Sequence, residues 1–571
     1  MRRLLSELRV WLFPLSILLG GALAVFVLTV WIDAAHTMDP SHVLSLIVEP
    51  NPVSAQNTLG SAGEVVAAVL AIAITVVAII VELASNRYTH RITELFVREP
   101  INFYVMGFFV ITALQGLWVN LIIDYEPGQG GFVPYVSIGV SMAMLTLCLL
   151  ILLPYFAFVF SFLNPISIVQ RIRDKTLHGI ELSPGHAGTS TNGGQSSRLS
   201  SAQQEAVRGI EQLSDVSLNA MEHKDKGVSM AGVDALCSLL VSYQRLRPRL
   251  PEGWFGIDGS LAHNPDFVSM APEVLEDLRQ RKVWLEWKIL RGYQSLYNEA
   301  LNKMRDINYL VAINSRLMAE AAWDHQNAQL FEMVVKFFNT YLRSAINAHD
   351  IRTAYNVLNQ YRLVGESAIK RDPSGARAIE IAKYFKYYGL LSFNAKLPFI
   401  LETVAYDMCA LIEFAFDQKS PATHPLLKLF LTVDKEGEGV TQEASLRGVR
   451  KAQLKLASYF LLRGDQVLAR EVFLDMGDER PERLASIRDE LLNVESREFW
   501  EVSDRGVNFD YLGDERKAQL LRFFEWFGDR LPRPRSGTGA QRIQPAPIPA
   551  DAGNLVPAPA QAAAPAGTQG G

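Results

Sequence analysis

The chain has 571 residues, with 55 Lys and Arg against 60 Asp and Glu and a net charge of −5. That length accommodates several domains. The mildly acidic balance argues against a nucleic-acid-binding protein and gives no general attraction to anionic lipid. The three cysteines, Cys148, Cys237 and Cys409, are far apart and form no CxxC, so their spacing points to neither a disulfide framework nor a zinc site.

Taken in order, the first part of the chain alternates long apolar runs with short polar loops. Arg2, Arg3 and Arg9 precede an apolar run over about 10–32, which is too long for the core of a cleaved signal peptide and reads as an uncleaved anchor. Residues 33–62 are polar and contain no Lys or Arg. A second run, 63–84, is long enough to cross a bilayer, which takes about 20 residues. Gly63, Ala67, Ala71, Thr75, Ala78 and Glu82 recur there at spacings of three or four, so they share one helix face. Such a stripe serves either as a helix-packing face or as a pathway or subunit-contact face. Glu82, near the end of the run, is either a functional charge or a side chain that snorkels to the interface.

The next loop carries Arg87, Arg91 and Arg98. Its Ile92, Leu95 and Phe96 have the spacing of a short interfacial helix that ends at Pro100. A third run over 101–123 has Gln115 and Asn120 as its polar members, and the acidic loop DYEPGQGG follows. The fourth run, 132–163, exceeds what a span needs and contains Pro154, which predicts a kink or tilt. Arg171, Arg173 and Lys175 come after it. The basic residues therefore cluster at the N-terminus, in the second loop and after the fourth run, and the positive-inside rule puts both termini in the cytoplasm.

Residues 181–201 are rich in Gly, Ser and Thr and read as a flexible linker. Residues 202–531 show helical periodicity throughout and read as one α-helical cytoplasmic domain. Helices are predicted over 203–221 and 229–246, with a turn region over 248–272. A long amphipathic stretch follows, with Val283, Trp287, Leu290, Tyr297, Leu301, Met304 and Val311 on its core side. Residues 397–416 are apolar enough to test as a further span, but Glu402, Asp407 and Glu413 would each be costly in hydrocarbon, so a buried or domain-contact helix is predicted. The segments AHDIRTAYNVL (348–358) and RGDQVLAREVF (463–473) share an Asp turn, Asp350 or Asp465, leading into a helix with a small residue at its contact point. That pairing resembles helical-hairpin repeats of the tetratricopeptide kind and predicts a solenoid-like packing. Residues 532–571, rich in Pro, Ala and Gly, cannot bury a core and are predicted to be disordered.

No phosphate loop, dinucleotide fingerprint, nucleophile elbow or zinc-protease motif occurs. The ten His are scattered. His223, with Glu222 and Asp225, reads as a solvated turn, and His349-Asp350 reads as an interhelical turn capped by Asp350. The sequence favours no enzyme and implies no cofactor.

The run ITVVAIIVELASNRYTHRITELFVREPINFYVMGFFVITAL resembles the core of the DUF2254 family of predicted bacterial membrane proteins. Members carry an apolar helix ending in a polar position, then "LASSQFSPRLL" and a further span. Glu82 stands here where many members have Gln, followed by Leu83, Ala84 and Ser85 and then by Arg91 and Ile92. The segment DVSLNAMEHKDKGVSMAGVDALCSLL is similar to the family's "RALSPGINDPTTA" segment, without its Pro and Asn-Asp elements. The resemblance covers roughly residues 1–247. It implies a multi-pass protein of the bacterial inner membrane, and no mechanism.

The expectation is therefore an all-α chain: a membrane domain over 1–180 with four spans, the linker, the helical domain and the tail. Two functional readings follow. One is a membrane-anchored scaffold that binds a cytoplasmic protein partner. The other is a homo-oligomeric channel or transport component whose second span lines the pathway. Membrane lipid is a partner in either case, and nucleic acid in neither. Reporter fusions are expected to place residue 45 outside the cytoplasm, and a reporter at residue 45 that behaves as cytoplasmic contradicts the topology.

Overall fold

The computed structural model describes residues 52–87, 96, 99–122, 135–162, 164–182, 192–257, 259–433, 446–498 and 505–531. The expected span at about 10–32, the tail 532–571, and Arg2, Arg3, Arg9, Arg91 and Arg98 lie outside the described residues. So does most of the expected interfacial helix, although Phe96 is described and buried. Every element among the described residues is helical. The chain forms two compact units, Met1–Glu299 and Ala300–Gly571. The division falls within one helix, well beyond the linker from which the sequence reading began its second domain.

In the first unit, α1 (Pro52–Arg87), α2 (Pro100–Ile122) and α3 (Tyr135–Phe162) pack on one another. Among the described residues, three stretches are long and apolar enough to cross a membrane: Gly63–Leu83, Pro100–Leu121 and Val140–Ser161. Helix α1 has 36 residues, about 54 Å at the α-helical rise, so it outreaches a hydrocarbon core of about 30 Å. Its polar first turns begin at Pro52, inside the stretch read as a loop. The three helices meet around Val66, Phe109 and Cys148. Large apolar side chains such as Ile72, Phe103, Leu121 and Phe160 are more than half exposed. That distribution suits helices surrounded by lipid, where an outward apolar face carries no penalty. Helix α3 runs through Pro154, which removes one backbone donor.

The helical path breaks at Asn164 and restarts as α4 (Pro165–Glu181), with Asn164 accepting a hydrogen bond from the Ile166 amide at 3.1 Å and Pro165 in the first turn. This helix was not foreseen. Its buried side, Ile168, Val169, Ile172, Thr176 and Ile180, packs on α5 (Asn192–Glu222) and α6 (Lys226–Leu246). Helix α5 starts inside the 181–201 stretch read as linker. Its glycine Gly209 lies directly against α4: a β-carbon there would sit 1.9 Å from Thr176 Oγ1 and 2.9 Å from Thr176 Cβ. The expected turn at 222–225 is present, with Asp225 capping α6 through the Val228 amide.

The turn region 248–272 contains short helical turns around the buried Trp254, whose carbonyl accepts from Trp284 Nε1 at 2.8 Å. Helices α7 (Pro272–Arg281) and α8 (Trp284–Lys303) complete the unit, and α8 carries the chain across the division. The long amphipathic stretch is two helices, separated at Met304–Arg305. Val283, Leu290, Tyr297, Leu301 and Val311 are buried, while Trp287 and Met304 are half-buried.

The second unit stacks helices in sequence: α9 (Asp306–Asp324), α10 (Ala328–Asn347), α11 (Ile351–Arg371), α12 (Ala376–Asn394), α13 (Pro398–Asp417), α14 (Thr423–Phe430), α15 (Arg447–Leu462) and α16 (Gln466–Asp475). Alternate helices α9, α11, α13 and α15 form one row, each packed on the next, and α10, α12 and α14 form another. Apart from the connection between α14 and α15, most of which lies outside the described residues, the turns use the same device. A residue with positive φ (Gln326, His349, Gly375, Lys396, Lys419 or Gly464) precedes the next helix. Where a cap follows, it is Asn327, Asp350 or Asp465, accepting from the amide three residues on at 3.1, 3.0 and 3.0 Å. Asn327 and Asp350 are 23 residues apart, and Asp350 and Asp465 are five such intervals apart. The repeat is thus one helix plus a turn, and a hairpin takes about 46 residues. That is longer than the tetratricopeptide period and within the range of larger helical-hairpin repeats. Helices α17 (Pro481–Asn493) and α18 (Asp514–Glu525) close the far end, with α18 packed on α15.

Gly209→Ala is expected to lower the thermal midpoint of the purified chain by overpacking worth about 1–3 kcal/mol. Gly227→Ala, whose added carbon meets nothing nearer than 3.8 Å, is expected to leave it unchanged. Equal midpoints for the two variants contradict the close α4–α5 approach.

Candidate functional site

Helix α13 has the composition of a buried helix with one polar edge. Glu402, Tyr406, Cys409 and Glu413 recur at spacings of four, three and four, and Asp407 lies beside them. The carboxylates that argued against a membrane span are the polar lining of a groove. Helix α11 contributes Tyr355 and Arg362, and α15 contributes Lys451 and Lys455.

An extended segment lies in that groove. Residues 505–511, RGVNFDY, lead into α18 and are held mainly by side chains. The Arg505 guanidinium grips Asp407 with two hydrogen bonds, Nη1–Oδ1 at 2.6 Å and Nη2–Oδ2 at 3.0 Å. It also donates to the Tyr355 carbonyl at 2.5 Å and sits 4.1 Å over the Tyr355 ring. Asp407 is 2% exposed and has a second cation, Arg362 Nε, at 3.3 Å. Phe509 stacks on Tyr406 with ring centroids 4.6 Å apart. Asp510 accepts from the Tyr406 hydroxyl at 2.6 Å and from Lys451 Nζ at 2.7 Å. Lys455 Nζ donates to the Phe509 carbonyl. Asn508 Oδ1 accepts from the Asp510 amide at 3.0 Å, which turns the segment so that the aromatic ring and the carboxylate both reach the groove. At the end of the segment, Arg516 on α18 donates to Glu413 and to the Lys455 carbonyl, each at 2.7 Å.

The groove is electrostatically uneven. Burial pushes the Glu402 carboxyl up to about 7; Lys451 opposes this and Asp510 adds to it. Burial pulls Lys455 down. Burial would also lower Lys451, but Asp510 and Glu490 outweigh it and leave that group raised. The Cys409 thiol is raised by burial, and all three cysteines are buried thiols.

The residues singled out from the sequence lie elsewhere. Ala67, Ala71, Thr75, Ala78 and Glu82 are exposed and Gly63 is half-buried. Helix α1 meets α2 and α3 through a different face, on which Val66, Ala73, Val77 and Val81 are buried. Among the described residues nothing lies within 4 Å of a β-carbon added at Gly63. Thr75 Oγ1 donates to the Ala71 carbonyl at 2.8 Å, within its own helix. Of the basic residues, Arg171 pairs with Glu99 at 3.2 Å, Arg173 donates to Asp174 and to Ser238, and Lys175 lies 3.9 Å from Glu205. Arg87 ends α1. Among the described residues no three His, Cys, Asp or Glu side chains are grouped to hold a metal ion. Sequence reasoning missed the groove because Arg505 lies 98 positions from Asp407. The available signal was the run of carboxylates on an otherwise apolar α13.

Residues 7–215 match the family model DUF2254, described as a predicted membrane protein. No curated protein and no solved structure matches the chain. The matched stretch takes in α1 to α4 and most of α5, and stops before the second unit.

Glu402 generates a pH dependence of known sign. Its folded value of about 7 exceeds the ordinary carboxyl value of about 4.3, so the folded chain binds more protons than the unfolded chain between those limits. Stability then falls as pH rises through that window. Glu402→Gln removes this term: the variant should melt above the wild type at pH 8, with the gap closing below pH 5. A gap that does not change with pH contradicts the buried carboxyl.

Proposed function

We propose, from the match of residues 7–215 to the DUF2254 model of predicted membrane proteins, that the protein is a membrane-anchored interaction protein of the bacterial inner membrane. Its helical stack binds a protein partner on the cytoplasmic side. The cytoplasmic assignment draws on the basic residues after the last span, Arg171, Arg173 and Lys175. The observation that carries the reading is the groove of α11, α13 and α15. Stacked helical hairpins offer extended surfaces for partners, and this one already accommodates an extended segment through an arginine, an aromatic ring and a carboxylate.

A second reading, an oligomeric transport component, is favoured by one observation. The stripe from Ala67 to Glu82 is left uncovered by α2 and α3, so it is open to another helix, another copy or a pathway. Flux through liposomes that responds to Glu82→Gln supports that reading, and the absence of flux removes it.

For the first reading, a photo-crosslinking residue at position 352, exposed and one helical turn from Tyr355, is expected to give a discrete adduct with a second protein in native membranes. Adducts with lipid alone, or none, count against a scaffold role.

A further inference from the structure

We infer that the groove of α11, α13 and α15 is a receptor for an extended peptide segment with arginine, an aromatic residue four positions on and a carboxylate next to it. In this inference residues 505–511 are its displaceable occupant in cis. It rests on the reading of the helical stack as a partner-binding unit and adds the partner's chemistry and its regulation: a partner segment gains the groove by competing with the chain's own strap.

Three observations carry it. First, the strap is bound as a ligand is bound. Its attachment is concentrated in Arg505, Phe509 and Asp510, and its backbone joins no helix over those residues. Second, the receptor charges keep resident partners when the strap leaves. Asp407 retains Arg362 at 3.3 Å, and Lys451 retains Glu490 at 3.0 Å. Emptying the groove therefore leaves Asp407 and Lys451 each with a counter-ion, whose absence is what makes breaking a buried pair costly. Third, two bonds tie the strap and the residues after it to the stretch just past the end of α17 and not to the groove: the Asn508 amide donates to the Arg497 carbonyl at 3.1 Å, and Lys517, past the strap, to the Val494 carbonyl at 2.8 Å. A strap tethered in this way returns readily, because tethering gives it an effective concentration on the order of millimolar. It sets a threshold that a partner must exceed.

The charges select the occupant. Asp407 and the Tyr355 carbonyl demand a planar cation, Tyr406 and Tyr355 a flat apolar ring, and Lys451 with the Tyr406 hydroxyl a carboxylate. An acidic peptide without the arginine leaves Asp407 short of its fork, and a basic peptide without the carboxylate leaves Lys451 and Tyr406 without theirs.

The test uses the full chain in nanodiscs and a fluorescent peptide RGVNFDYL. Wild-type chain should bind it weakly. A chain carrying Arg505→Ala and Phe509→Ala, in which the strap competes poorly, should bind roughly tenfold tighter or more. Adding Asp407→Asn to that chain, or replacing the peptide's arginine by alanine, should abolish the gain. No gain in the strap variant, or a gain indifferent to Asp407, overturns the inference. Should the strap variant lose its helical circular dichroism, hydrogen exchange of the unmodified chain decides. Amides of 505–512 that exchange well ahead of α15 support displacement, and exchange only together with α15 makes the strap a fixed part of the fold and overturns it. A dimeric wild-type chain that the peptide converts to monomer assigns the groove to a second copy's strap and overturns the partner assignment. Failure here is separable from failure of the scaffold reading: a position-352 adduct that survives Asp407→Asn keeps the scaffold and removes the groove, whereas peptide selectivity without any adduct keeps the groove and removes the scaffold.

Discussion

The second unit depends on one buried negative charge. Asp407 lies on α13, a helix otherwise apolar enough to be tested as a membrane span, and it is 2% exposed. A carboxylate so placed is tolerated only when cations and hydrogen bonds replace its lost hydration. Arg362 supplies part of that from the neighbouring helix, and Arg505 supplies the rest from 98 positions away. That need fixes where the strap crosses the stack. Tyr355 then holds the guanidinium, Tyr406 takes the Phe509 ring, and Lys451 takes Asp510.

The stack that presents this charge is built by local chemistry. A positive-φ residue, followed at three of the turns by an Asn or Asp cap, redirects the chain about every 23 residues, so alternate helices fall into rows and a groove forms along one of them. The same logic of close approach organises the helices that follow the three apolar ones, where Gly209 lets α5 meet Thr176 on α4. Among the apolar helices α1, α2 and α3 the arrangement differs. Val66, Phe109 and Cys148 gather three helices, while the small-residue stripe of α1 stays outside that contact.

What was legible in the sequence follows from how local each signal is. Apolar runs of span length, the cap at Asp350 and its likeness to Asp465 depend on near neighbours; three of the four runs and both caps appear among the described residues. The repeat length did not emerge, because two copies five intervals apart disguise a 23-residue unit whose other turns use Lys396 and Lys419 without an Asp. Helix α4 was hidden because Asn164-Pro165 reads as an end when it is also a start. The stripe of α1 has a packing face's composition, yet the face carrying Val66, Ala73, Val77 and Val81 makes the contact, and composition alone does not tell which face of an apolar helix its neighbours cover. The strap was least legible, for its partners are set by tertiary structure alone.

The coupling between Asp407 and Arg505 tests the account most directly. A double-mutant cycle with Asp407→Asn and Arg505→Gln, read as the free energy of strap opening by hydrogen exchange in the full chain, should give an interaction of about 1–3 kcal/mol. Two substitutions whose effects add to within about 0.5 kcal/mol would contradict it, because the strap would then be held by something other than the buried charge.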